Sequence, residues 1–259
     1  MDSVNKTLYI PLYGKAYVSR RGLILHDPKA EAIWEAEGFP LKGKAASRWL
    51  AYYMGMRSAV FDGWVRQAME EDPEAIVLHL GCGLDSRAER AGGKHWYDVD
   101  FPEVIEERRR YYAESGDYRM IAGDIREKGW LEQLPGNRRA IILMEGVSMY
   151  LTAEEMNRAM AQWAGYFASV RLLTDVYSGF AAKMSRWKNP INEVGVTEVH
   201  GWDDPQAPAA GTGLTFVKEH DMTPEAMIAG LPRQERGIFR RLYAGKFARG
   251  LYRLWEYRG

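Results

Sequence analysis

Cysteine is nearly missing from this chain: one residue, Cys82, in 259. A single thiol excludes an internal disulfide and any cysteine-only metal cage. Histidine is scarce too. None of His26, His79, His95, His200 and His220 sits at the paired spacing of a zinc site, so no metal centre is expected. No apolar run reaches the ~18 residues of a membrane span. The opening Met1-Asp2-Ser3-Val4-Asn5-Lys6 lacks the apolar segment of a signal peptide. These absences point to a reducing, cytoplasmic setting with no membrane partner. Neither charge is in surplus, since Lys and Arg number 35 and Asp and Glu number 35. Nucleic-acid binders carry a basic excess, so no such partner is expected. Fixed-period repeats and low-complexity tracts are also missing. What remains is ordinary for a globular chain: 46% apolar and 27% charged residues, long enough to bury a full core.

Short apolar runs beside turn signals mark the strands. Residues 75–80 (AIVLHL) end at Gly81, residues 140–144 (AIILM) follow Pro135-Gly136-Asn137, and residues 170–176 (VRLLTDV) form a third run. Nearly continuous apolar character fits strands covered on both faces, as in a parallel sheet. Residues 95–99 and 118–122 are weaker strands. Helical stretches alternate with them. Pro102 suits a first helical position, followed by early Glu103, Glu106 and Glu107 and late Arg108, Arg109 and Arg110, which complements the helix dipole. Thr152 and Glu155 form a capping box, and Met156, Ala159, Met160, Trp163 and Phe167 then follow helical spacing as a core stripe. The alternation predicts a doubly wound α/β, mostly parallel sheet. Residues 215–220 and 251–257 are placed as an antiparallel pair at its edge. Residues 1–70 read as a helical, aromatic cap on a main domain of residues 71–259, with a lid insertion at about 180–213.

The chemistry concentrates at Leu80-Gly81-Cys82-Gly83-Leu84-Asp85. A strand ending in Gly-x-Gly admits unusual dihedrals and close approach of a ligand to the backbone. Ligands of open α/β sheets bind at the carboxyl ends of the strands. The next strand ends in Tyr97-Asp98-Val99-Asp100, so an acid follows Gly83 by 17 residues and can accept from a ribose diol. The pair indicates a nucleoside-bearing cofactor. A dinucleotide fingerprint wants a third glycine where Ser86 stands, which favours a donor without phosphate, S-adenosylmethionine. A nicotinamide-dependent oxidoreductase and a non-catalytic donor-binding protein remain the alternatives.

Three segments in order, residues 80–87 (LGCGLDSR), 96–105 (WYDVDFPEVI) and 145–152 (EGVSMYLT), resemble the leucine carboxyl methyltransferase family, including polyketide O-methyltransferases of the tetracenomycin type. The resemblance implies a class I methyltransferase fold of Rossmann-like topology, S-adenosylmethionine as donor and S-adenosylhomocysteine as product. It implies transfer to a carboxylate or hydroxyl oxygen of a small molecule or a peptide C-terminus. Residue by residue, Gly81, Cys82 and Gly83 would line the methionine and ribose part and Asp100 would bind the ribose hydroxyls. Asp124 and Ile125 would meet the adenine, and Glu145 would face the amino-acid end. Lys15 and Arg57 would hold the donor's carboxylate, with Arg48 as the fallback for Arg57.

Two near-motifs lead elsewhere. Residues 38–45 (GFPLKGKA) nearly spell a phosphate loop, but Ala45 replaces the magnesium-binding hydroxyl and no strand precedes. Residues 146–150 (GVSMY) nearly spell a nucleophile elbow, but Tyr150 stands where the second glycine belongs; Ser148 is read as structural. His79 is read as a core histidine and Cys82 as a small space-filler. The reaction expected is displacement at the methyl carbon, in which the protein aligns oxygen, methyl and sulfur and excludes water. A carboxylate needs no base, whereas a phenol of pKa near ~10 needs a partner. Tyr150 is the substrate-side candidate, with Tyr17 and Tyr177 behind it; no residue is assigned as a base, and oligomeric state is not readable.

Overall fold

A computed structural model describes residues 5–185 and 199–259. Its centre is one seven-stranded sheet in the order β3-β2-β1-β4-β5-β7-β6. The strands are β1 (Ile76–Leu80), β2 (Trp96–Asp100), β3 (Tyr118–Ala122), β4 (Arg139–Met144), β5 (Ser169–Tyr177), β6 (Thr215–His220) and β7 (Tyr252–Arg258). The first five run parallel, and β7 lies antiparallel between β5 and β6. The chain order turns at β1, which pairs with β2 on one side and β4 on the other. That switch point opens a crevice above the carboxyl ends of the strands.

The apolar runs predict the strands because both faces of the sheet are covered. Along β1, Val77 packs with Met56, Phe61 and Val65 of a long helix, α3 (Arg48–Glu71). Ile76, Leu78 and Leu80 face Met156, Met160 and Trp163 of another helix. Successive strand residues point to opposite faces, so one short run serves two cores. Ahead of α3 come α1 (Tyr9–Arg20) and α2 (Pro28–Glu37). Asp27 caps α2 by accepting from Ala30 N at 2.8 Å, with Pro28 as its first residue. The helical segment expected over residues 1–70 thus holds α1–α3, and α3 shares an apolar core with β1, β4 and β5.

After β1 come α4 (Arg87–Ala91), then α5 (Pro102–Arg108) and α6 (Ala153–Tyr166). The capping box forms as read: Glu155 N donates to Thr152 Oγ1 at 3.2 Å and Thr152 N to Glu155 Oε2 at 2.8 Å. Beyond β5 lies α7 (Gly179–Ser185), and between β6 and β7 lie α8 (Glu225–Ala229), α9 (Arg233–Phe239), a π-helical turn at Arg240–Ala244 and α10 (Lys246–Leu251). Part of the proposed lid, residues 186–198, lies outside the described residues. Residues 199–213 form a strap: His200 N donates to Met149 O and Trp202 N to Tyr177 O, both at 2.7 Å. Asp204 accepts from the Gln206 amide, as a turn residue does, whereas Asp203 accepts from the Gly179 amide at the start of α7.

Candidate functional site

Where β1 ends, Gly81 and Gly83 take φ of +67° and +52°, the left-handed region that suits glycine. A Cβ on Gly81 would run into the Val147 side chain, so the turn keeps its bare backbone against the β4 end. Asp100, ending β2, is built into the same turn. Its Oδ2 accepts from Gly83 N at 2.7 Å and its Oδ1 from Phe101 N at 2.8 Å. Burial pushes this carboxyl up to about 6, against the opposing pull of those two amides and Arg108. Each oxygen keeps a further lone pair for a hydroxyl donor.

Beside the turn lies a buried lattice of alternating charges. Lys15 is 3% exposed, and its Nζ sits 3.1 Å from Asp85 Oδ2. It is a core lysine rather than a solvated one. Arg87 reaches Asp62 Oδ1 at 2.8 Å and Ser58 Oγ at 2.9 Å, and also donates to Glu145. Arg57 donates through Nε to Glu145 Oε1 at 3.0 Å and through Nη1 to Asp175 Oδ2 at 3.0 Å and Tyr252 Oη at 2.7 Å. Burial alone would raise Glu145, but Arg87, Arg57 and Lys15 outweigh it and hold it at about 2. Asp175 moves the other way, since its burial outweighs Arg57. Arg57 Nη2 also lies 3.0 Å from Glu145 Oε1, which leaves its second hydrogen without a partner among the described residues, and Lys15 Nζ has donors beyond the one aimed at Asp85.

These groups open onto a cavity of about 1080 Å³ lined by Lys15, Arg57, Gly81, Cys82, Gly83, Asp100, Asp124, Ile125, Glu145, Tyr150 and Tyr177 among others. Every cofactor-side residue singled out from the sequence is therefore in one place. Two details differ from the expectation. Tyr17 is not in the cavity wall: it follows Lys15 by two on α1, about 200° around the helix, and packs against Tyr13 and Tyr52. The Asp124 carboxylate, assigned to an adenine amine, is already gripped by Arg126, with Nε 2.9 Å from Oδ1. Arg48 is exposed and pairs with Glu235, so Arg57 is the arginine at the cavity. Ser148 donates to Asp175 O, a structural bond. His79 and Cys82 are buried and also touch the cavity. No group of three or more acidic, His or Cys side chains suited to a metal occurs among the described residues.

Sequence reading missed Asp85, Arg87, Asp175 and Tyr252. Asp175 carried a signal, a lone acid inside the apolar run of β5. It ties the strand ends together by accepting from Gly146 N at 2.7 Å and from Tyr252 Oη.

The comparisons agree with this geometry. The tetracenomycin polyketide synthesis O-methyltransferase of Streptomyces glaucescens is 26% identical over 92% of this chain and 90% of its own length. An S-adenosyl-L-methionine-dependent methyltransferase of Gibberella zeae is 31% identical over 48% of this chain and 45% of its own. Among solved structures, a methyltransferase of Mesorhizobium loti superposes at TM-score 0.52, with 13% identity, over 76% of this chain and 98% of that one. The magnesium protoporphyrin IX methyltransferase of Synechocystis PCC 6803, solved with bound SAH, superposes at 0.51, with 14% identity, over 88% and 92%. Both share the fold, that of a class I methyltransferase. Residues 10–164 match the leucine carboxyl methyltransferase family. This chain belongs to that family and is an S-adenosylmethionine-dependent methyltransferase.

Proposed function

We propose that the enzyme transfers a methyl group to an oxygen of a small, apolar, aromatic acceptor, in the cytoplasm. The observation that carries this is the two-sided cavity. Its volume, about 1080 Å³, exceeds the ~300–1,000 Å³ of a typical single-ligand site. One end holds the glycine turn, Asp100 and the charge lattice. The other is walled by Leu50, Met54, Met149, Phe180, Met184 and Phe247. Phe180, Met184 and Phe247 are more than half exposed, which forms an apolar mouth. Of the relatives, the Streptomyces glaucescens enzyme has a polyketide in its name, which supports a small-molecule acceptor over a peptide C-terminus.

On this reading, Asp100 accepts from the ribose hydroxyls while Gly81–Gly83 let the donor lie against bare backbone. Glu145 faces the donor's ammonium, and the spare donors of Lys15 and Arg57 face its carboxylate. S-adenosylmethionine, when bound, supplies a methyl group on a sulfonium that is already a good leaving group. Ser86 stands where a dinucleotide fingerprint has its third glycine, which disfavours a nicotinamide dinucleotide. Cys82, buried among these groups with its thiol pushed up by burial, acts as a space-filler. Tyr150 and Tyr177 stand on the acceptor side.

Tritiated methyl transfer from the donor to a panel of aromatic carboxylates and phenols tests the proposal. Labelled, base-labile product from aromatic carboxylates or stable ethers from phenols is expected. Tight donor binding with no transfer to any member would favour a non-catalytic binding protein, and binding of NADH in place of S-adenosylhomocysteine would favour an oxidoreductase.

Donor binding also acquires a pH dependence. In the free protein, burial keeps a proton on Asp100 up to about pH 6. Only the ionised carboxylate accepts both ribose hydroxyls, so binding expels that proton and weakens as pH falls. The affinity for S-adenosylhomocysteine, measured by titration calorimetry, is expected to drop about tenfold from pH 7 to pH 5, and Asp100→Asn should flatten the profile.

A further inference from the structure

We propose that Tyr53 is the hydrogen-bond donor that positions the acceptor's oxygen, an inference that rests on the methyl-transfer reading above. Among the described residues six tyrosines are buried: Tyr9, Tyr52, Tyr53, Tyr112, Tyr252 and Tyr257. Five have hydroxyl partners. Tyr9 donates to Glu37 at 2.6 Å, Tyr52 to Glu235 at 2.5 Å, Tyr112 to Leu84 O at 3.0 Å and Tyr257 to Pro205 O at 2.9 Å, and Tyr252 donates to Asp175. Tyr53, only 8% exposed, has no hydrogen-bond partner among the described residues. Buried tyrosine hydroxyls ordinarily find one. The hydroxyl is also missing from the sealed polar atoms that lack a partner, so solvent-sized groups can reach it.

Its placement gives that open bond a use. On α3, Leu50, Tyr53, Met54 and Arg57 follow one another at helical spacing and all line the cavity. Tyr53 therefore stands one turn from Arg57, the cation of the donor end, and faces the apolar end. Arg57, Tyr177, Asp175 and Tyr243 surround its phenol. Its ring is held by Tyr243 at 5.1 Å and Tyr252 at 6.3 Å between centroids, so the hydroxyl is fixed in direction. Tyr243 sits on the π-helical turn, a distortion that recurs at functional sites. Of the other hydroxyls nearby, Tyr150 is engaged by Thr7 and Tyr252 by Asp175 and Arg57, while Tyr243 is only part-buried and stacks on Phe239. Burial also raises the Tyr53 phenol, so it keeps its proton and serves as a donor rather than a base. A carboxylate acceptor has two oxygens: Tyr53 holds one and leaves the other to be methylated.

The test uses 2-naphthoate as the probe, titrated by fluorescence into the enzyme saturated with S-adenosylhomocysteine, with naphthalene as the control lacking oxygen. Tyr53→Phe keeps the ring and removes only the hydroxyl. It is expected to weaken 2-naphthoate by about tenfold or more, while naphthalene and S-adenosylhomocysteine affinities stay within about twofold of wild type. Equal naphthoate affinity in the two proteins, parallel loss for naphthalene, or a matching loss for S-adenosylhomocysteine would each overturn the inference. So would a wild type that binds S-adenosylhomocysteine but no naphthoate, and that result leaves the donor reading standing. A wild type that fails to bind S-adenosylhomocysteine removes the donor reading itself.

Discussion

Replacing Arg87 with methionine is expected to lower the unfolding free energy by about 3–5 kcal/mol. Arg87 is fully buried and bonds to Asp62, Ser58 and Glu145, with Asp85 3.3 Å away. Its guanidinium also lies 5.2 Å from the centroid of the Phe61 ring. Methionine keeps the length and the packing against Phe61 but deletes the charge. The carboxylates around it then stay buried with part of their compensation gone, which is the costly way to break such a lattice. Arg90 still serves Asp62 at 2.9 Å and Arg57 still serves Glu145, and this limits the loss to the quoted range. The acid sensitivity contributed by Glu145 should fall at the same time. Glu145 sits at about 2 in the folded chain against an ordinary 4.5, so its stabilisation is complete above 4.5 and fades as pH falls towards 2. Without Arg87 its folded value climbs back towards 4.5, so less stability is lost between pH 7 and pH 4 than in the wild type. Urea unfolding of both proteins at pH 7 and pH 4 checks this. A loss below about 1 kcal/mol would mean that the lattice is far better solvated than its burial implies.

Much of the fold was legible in the sequence because the pattern is local. A run such as AIVLHL is apolar throughout only if two faces are covered, and β1 is buried along its whole length between α3 and α6. The capping box at Thr152 fixed the start of α6 for the same reason, since its partners are three residues apart. The glycine turn and Asp100 were legible as a spacing, and Asp100 Oδ2 does meet Gly83 N. What could not be read depends on pairs distant along the chain. Arg57 and Asp175 are 118 residues apart, and Arg87 and Glu145 are 58 apart. No periodicity announces which buried cation will face which acid. Tyr17 illustrates the opposite error, in which closeness to Lys15 in sequence hid their placement on different faces of one helix. The acceptor side was least legible. Apart from Met149 and Tyr150, its wall comes from α3, α7 and the segment before β7, stretches that share no motif.

Asp100→Ala bears on donor recognition more than any other change. The carboxylate fixes the Gly83 amide and leaves lone pairs towards the cavity, so its removal deletes the ribose acceptor and loosens the turn together. Hydrogen bonds to a charged group contribute about 1.5–3 kcal/mol each, so the loss of two such bonds predicts a fall in affinity of about 100-fold or more. Calorimetric titration of S-adenosylhomocysteine into wild type and Asp100→Ala at pH 7, with circular dichroism to verify that the variant is folded, is the most direct measurement. The account predicts that fall in a folded protein. A folded variant that binds S-adenosylhomocysteine as tightly as wild type would contradict it.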